Sequence, residues 1–218
     1  MTVAVKICGL TTPHSVQAIA EERAEMVGFN FYPSSPRYVV PRVASELAHL
    51  LPKSVRTVAV CVDANDKTLS QIIECLKPDY VQAHGSESPA RIQDIKQRFS
   101  VPVIKSLSVE TAEDLEVVAC YEGIADMLLF DARPPRQESA LPGGNGLAFD
   151  WALLADFVSQ IPWVLSGGLT PDNVDQAIRL TGASAVDVAS GVEESPGQKS
   201  VALIQRFIRA ARAADTEE

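Results

Sequence analysis

No run of 18 consecutive apolar residues occurs in the 218-residue chain, so nothing in it reads as a membrane span. The first residues lack a basic region followed by an apolar one, so no secretory leader is expected and the cytoplasm is the expected compartment. Positive charge is in short supply. Lys and Arg number 19 against 28 Asp and Glu, and the net charge of −9 argues against general affinity for nucleic acid or an anionic membrane. It leaves room for a local cationic pocket. Cysteine is scarce as well: Cys8, Cys61, Cys75 and Cys120 have neither CxxC spacing nor the density of a disulfide framework. Of these, Cys61, Cys75 and Cys120 read as small buried fillers. No His, Cys and Asp grouping has zinc spacing, and no metal is expected.

Apolar material, by contrast, is ample at 46% of residues, and its pattern is regular. Short β-rich runs alternate with helical segments along the whole chain. Strand exits fall near residues 8, 31, 62, 84, 107, 131, 166 and 189, which makes eight strand–helix units. Helices are expected after Thr12-Pro13 and Pro41, around Leu69–Leu76, and over Pro89–Phe99, Thr111–Cys120, Phe149–Val158, Pro171–Leu180 and Ser200–Ala214. Strict alternation of β and α predicts a parallel sheet, and eight units at this length predict closure into a single-domain (β/α)8 TIM barrel. A doubly wound open sheet is the alternative. Extra loop is inserted after the sixth strand, at 132–148, and residues 215–218 form a polar tail expected to fray.

In such barrels the residues at the carboxyl ends of the strands build the site. Side chains alternate across a strand, so Val3, Val5 and Ile7 share one face of the first strand while Ala4, Lys6 and Cys8 share the other. The same parity turns Lys6, Cys8, Gln82, His84, Lys105, Asp131 and Asp187 inward. Two glycine turns follow the last two strands, Ser166-Gly167-Gly168 and Ala189-Ser190-Gly191. Backbone N–H groups in such turns cradle anions, and this end of the barrel is where a phosphate is usually held.

The motifs KICGL (6–10), GFNFYPSSPRYV (28–39), VQAHG (81–85), LLFDA (128–132), GGNG…FDW (143–151), LSGGL (165–169) and DVASGVE…PGQK (187–199) resemble those of the phosphoribosylanthranilate isomerase family of tryptophan biosynthesis, in order and over the whole chain. The resemblance implies a (β/α)8 barrel with no metal or organic cofactor. It implies an Amadori rearrangement of N-(5-phosphoribosyl)anthranilate to 1-(2-carboxyphenylamino)-1-deoxyribulose 5-phosphate. Carried over, Cys8 is the general base, Asp131 the general acid, and Arg37 the holder of the anthranilate carboxylate. Gly167, Gly168, Ala189, Ser190 and Gly191 hold the phosphate. Leu147 and Ala189 depart from the family pattern, which often has Lys and Ser there; Ala189 loses a hydroxyl but keeps its backbone N–H.

The residues suit those roles chemically. Ring opening needs an acid at the furanose oxygen, and the Schiff base so formed needs a base at the sugar's second carbon. A thiolate requires a lowered pKa, for which Lys6 offers a cation on the same face. His84 reads either as a core-edge histidine or as a substrate contact. Lys6 and Asp187 read as an ion pair at the floor of the site, with substrate orientation a second role for Asp187. Three rivals are set against this reading. A related sugar isomerase of histidine biosynthesis would show a carboxylate pair and two half-barrel phosphate motifs. An epimerase or aldolase barrel would use a metal cluster or a Schiff-base lysine, for which Lys105 is the candidate. A silent phosphosugar-binding barrel would not need both Cys8 and Asp131. Apolar helix faces serve cores and interfaces alike, so the sequence leaves monomer and homodimer both open.

Overall fold

The structure is a computed structural model describing residues 2–133 and 141–214. Its elements run β1 (Ala4–Cys8), α1 (Pro13–Glu22), β2 (Met26–Asn30), α2 (Pro41–Ala48), β3 (Arg56–Cys61), α3 (Asp66–Leu76), β4 (Tyr80–Ala83), α4 (Pro89–Phe99), β5 (Val103–Val109), β6 (Met127–Ala132), β7 (Trp163–Leu165), α5 (Val174–Thr181), β8 (Ala185–Val188) and α6 (Val201–Ala213). Strands β1 to β8 pair in sequence order, all parallel, and β8 closes on β1. The caps follow from sequence. Thr12, Asn65 and Ser88 accept from the N–H three residues on, and Pro13 and Pro89 stand in the first turns of α1 and α4.

Strand parity splits the core into two layers. Ala4 and Cys8 of β1, Met26, Val58, Val60, Ile104, Leu129, Val164 and Ala185 fill the barrel interior. Val5, Ile7, Val27, Phe29, Val103, Leu128, Phe130 and Val186 point outward, under the helices. Because Ile104 faces inward, Lys105 faces outward, against the expectation that it lines the barrel. There its ammonium is neutralised at 2.8 Å by buried Glu87 and donates to the carbonyls of Ala83 and Gly85.

Two expected helices form differently. Ala112–Tyr121 is a 3-10 helix. Its inward residues Leu115, Val118 and Tyr121 recur every third position, which suits three residues per turn better than 3.6. Between β6 and β7, among the described residues, only Trp151–Leu154 is helical. The chain then swings Phe157 inward to meet Phe130 and Trp163 edge-on, with ring centroids 5.1 and 5.9 Å apart, and leaves Val158 in solvent. Cys61 is buried as expected, whereas Cys75 and Cys120 are exposed, on the solvent faces of their helices. A hairpin not anticipated from the sequence, β9 (Glu193–Ser195) with β10 (Gln198–Lys199), follows β8. No helix among the described residues is long and apolar enough to cross a membrane. The expected fraying at 215–218 lies outside the described residues.

Candidate active site

A cavity partly open to solvent occupies the carboxyl end of the barrel. Cys8, Arg37, His84, Asp131, Gly167, Gly168, Asp187, Ala189 and Ser190 all line it, so nine of the ten residues given a catalytic or substrate-contact role from the sequence converge on one space. Gly191 does not. It packs beneath the turn after β7, where a Cβ would overlap the carbonyl of Leu169, so its role is to let two turns meet.

Cys8 ends β1, buried. Gly28 of β2 faces it, and a Cβ added there would stand 2.8 Å from the thiol sulfur and 3.3 Å from Lys6 Nζ, which places thiol and ammonium side by side. Lys6 and Asp187 are register partners on β1 and β8, and their side chains meet at 2.9 Å. Burial by itself would lower the Lys6 pKa, but Asp187 and Cys8 hold it above its ordinary value. The expected activation of Cys8 by Lys6 does not prevail. Burial pushes the thiol up, and the pull of Lys6, Lys199 and Arg37 downward is too weak to reverse it.

Asp131 lies on β6, where Oδ1 accepts from the Ala132 N–H at 2.8 Å. Its Oδ2 faces His84 Nε2 at 3.5 Å. The opposite nitrogen of His84, Nδ1, meets the Gln82 amide nitrogen at 2.8 Å and the Ser106 hydroxyl at 2.9 Å. These contacts hold the imidazole ring in place with Nε2 turned to the Asp131 carboxyl group. Ser106 was missed in the sequence because the parity of β5 was read one residue out of step.

Arg37, buried in the loop after β2, donates from Nε and Nη2 to the two carboxylate oxygens of Glu193, each at 2.8 Å. Nη2 also reaches the Gly144 carbonyl at 3.2 Å. Glu193 in turn accepts from Lys199 at 2.7 Å, and Lys199 donates onward to the Ala189 carbonyl at 2.7 Å. The PGQK stretch that carries Lys199 thus braces the turn after β8. Opposite it, Gly167 and Gly168 take φ of +84 and +67, the left-handed region open to glycine. Residues 141–147, just past the undescribed 134–140, line the cavity, and the chain at Gly143 rests on His84 and Asp131.

Among the described residues no group of three or more His, Cys, Asp or Glu is placed to hold a metal. What the cavity does present is a carboxyl group, a thiol and a glycine-lined turn, with a guanidinium at the rim.

Residues 5–210 match the family model described as N-(5'phosphoribosyl)anthranilate (PRA) isomerase. The N-(5'-phosphoribosyl)anthranilate isomerase of Parvibaculum lavamentivorans is 48% identical over 215 residues, covering 98% of this chain and 100% of the relative. That of Rhodopseudomonas palustris is 50% identical, covering 99% and 98%. The crystal structure of the Thermotoga maritima phosphoribosyl anthranilate isomerase superposes with a TM-score of 0.87 at 36% identity, over 97% of this chain and 99% of that one. A second such structure, in complex with reduced 1-(o-carboxyphenylamino)-1-deoxyribulose 5-phosphate, gives 0.84 at 34% identity over the same shares. The family model spans nearly the whole barrel and the relatives match end to end: the chain belongs to the N-(5'-phosphoribosyl)anthranilate isomerase family.

Proposed function

We propose that the barrel mouth converts N-(5-phosphoribosyl)anthranilate to 1-(2-carboxyphenylamino)-1-deoxyribulose 5-phosphate, with Asp131 as general acid and Cys8 as general base. The observation that carries this reading is that Asp131 and Cys8 end β6 and β1 and line one cavity with the glycine turn at 167–168 and with Arg37. In the bound substrate the phosphate lies on the turns after β7 and β8, and the anthranilate carboxylate lies toward Arg37. The reactive sugar carbons then fall between the two groups.

The protons balance in two steps. Asp131 gives its proton to the furanose oxygen as the bond from that oxygen to the anomeric carbon breaks, and the nitrogen lone pair forms the Schiff base. The Cys8 thiolate then removes the proton from the second sugar carbon, and the electron pair moves toward nitrogen to give the enolamine, which tautomerises to the ketone. One proton enters the substrate and one leaves, so exchange with solvent resets both groups. Burial of Cys8 makes its thiolate scarce but strongly basic, which suits removal of a proton from carbon. His84 faces the carboxylate left on Asp131 with Nε2.

Loss of anthranilate-type fluorescence on incubation with phosphoribosylanthranilate tests the reading, with the Cys8→Ala variant as control. Turnover by the parent and at least about a hundredfold slower turnover by the variant are expected. A parent that binds the substrate and leaves it unchanged overturns the assignment.

A further inference from the structure

A guanidinium offers a carboxylate two bidentate edges: a side edge made of Nε and Nη2, and an end edge made of Nη1 and Nη2. In Arg37 the side edge is taken. Both oxygens of Glu193 close on it at 2.8 Å, and the two side chains are 5% and 4% exposed. The end edge lies on the cavity wall under the 141–147 stretch. Nη2 reaches the Gly144 carbonyl there, and Nη1 carries no hydrogen bond among the described residues.

Glu193 reaches this place from the β9–β10 hairpin, and Arg37 from the loop after β2. The two come together across the end of β1, with the aliphatic stem of Arg37 lying over Gly9, the residue after Cys8. Glu193 itself is well seated. Besides Arg37 it accepts from Lys199 at 2.7 Å and from the Gly197 N–H at 3.2 Å. Burial works to raise its pKa, but Arg37 and Lys199 hold it below the usual carboxylate range.

Charge decides what such a cluster is for. An Arg37–Glu193 pair alone is neutral and would attract a second carboxylate weakly. Lys199 brings the group of three back to a net single positive charge while its ammonium stays tied to Glu193 and the Ala189 carbonyl, out of the cavity. The cluster therefore keeps its attraction for an anion and delivers it at one place, the end edge of Arg37.

We propose that Glu193 is the positioning residue for substrate recognition: it holds Arg37 by the side edge so that the end edge meets the substrate's carboxylate, which takes the place of the Gly144 carbonyl. This inference rests on the assignment of Arg37 to the anthranilate carboxylate. It also gives the anthranilate ring a fixed approach, since an end-on contact points the carboxylate along the axis of the guanidinium. With Glu193 absent, the guanidinium is free to rotate and to offer either edge.

The test compares kcat/KM for phosphoribosylanthranilate with that for the phosphoribosylaniline analogue that lacks the carboxylate. In the parent the ratio is expected to be large, and Arg37→Ala should collapse it toward unity. Glu193→Gln keeps the size of the side chain but removes its charge and turns an N–H toward Arg37. It should cut the ratio at least about fivefold, through KM for the carboxylated substrate. Glu193→Asp keeps the charge one methylene further back and should fall between parent and Gln variant. In the Arg37→Ala background, Glu193→Gln should change the ratio no further. A merely structural role would lower the melting temperature and both kcat/KM values together, leaving the ratio where it was, and that result for both Glu193 variants overturns the proposal. A ratio unmoved by Arg37→Ala overturns the carboxylate assignment and this inference with it. A ratio that collapses in Arg37→Ala but not in either Glu193 variant overturns this inference alone.

Discussion

Lys6 and Asp187 stand in register on β1 and β8 and meet at 2.9 Å on the floor of the cavity, with the Lys6 side chain wholly buried. Two charges out of water hold each other there, and each makes the other tolerable. Removing one partner leaves an uncompensated buried charge. Lys6→Met is therefore expected to destabilise the barrel by about 3–5 kcal/mol, and Lys6→Met combined with Asp187→Leu should recover most of the loss. Urea unfolding of the three proteins measures it. A single variant as stable as the parent would show that the pair contributes nothing to the fold.

The same floor sets the pH dependence. Burial raises the Cys8 pKa, so at neutral pH the thiolate is a smaller fraction than in a free cysteine. A rate that needs the thiolate then rises with pH until the raised value is passed. The basic limb of log kcat/KM should therefore keep climbing above pH about 8.5, the ordinary thiol value, rather than level off below it. A plateau reached below that value would assign the base to another group. Stability moves the opposite way. A thiol pKa raised in the folded state favours folding at pH below the unfolded value, and that contribution is lost as pH rises through the folded one.

Much of this was legible in the sequence, for reasons that can be named. Alternating apolar strands and helix starts such as Thr12-Pro13 and Pro41 marked eight units, because period and punctuation are local properties. Cys8, His84, Asp131 and Asp187 were found because polar residues at inward positions of strand exits stand out against a packed core. Lys105 misled because apolar residues stand on both faces of this strand: Val101 and Val103 pack under the helices on the same face as Lys105, while Ile104 faces in, so hydrophobicity alone does not say which set lines the barrel. The Glu193–Lys199 brace was not legible. It joins Arg37 to residues more than 150 positions away, and nothing local to any of them announces the contact. The direction of the Cys8 shift was hidden too, because a neighbouring cation is visible in sequence and desolvation is not.

The turn after β7 gives a prediction about the phosphate. Gly168 takes a φ of +67, and a Cβ there would meet the backbone of Ala148 at 2.6 Å. Gly168→Ala should push the 141–148 stretch off the turn and disturb the N–H groups that face the anion. The expected result is a folded protein with KM raised at least about tenfold, or ~1.4 kcal/mol. Inorganic phosphate should compete with substrate in the parent and more weakly in the variant. Equal competition in both would place the phosphate elsewhere. Gly191→Val is a different case: the Leu169 carbonyl fills the space its side chain needs, so it should lower the melting temperature before it touches binding.

The two proton transfers can be told apart by isotope. Asp131 is assigned to ring opening and Cys8 to breaking the bond between hydrogen and the second sugar carbon, so each variant should make its own step limiting. Asp131→Asn and Cys8→Ala should each lower kcat by about 10²–10⁴, with little change in KM, since neither side chain is asked to hold the substrate. Substrate deuterated at the second carbon then separates them. In Cys8→Ala the carbon–hydrogen bond breaks in the slow step, and the isotope effect on kcat should grow toward its full value. In Asp131→Asn the ring opens slowly before that bond is touched, and the effect should shrink toward unity. The double variant should lose less than the product of the single losses, because once one step is crippled the other no longer limits. An isotope effect that grows in Asp131→Asn instead would exchange the two roles, making Asp131 the group that removes the carbon-bound proton.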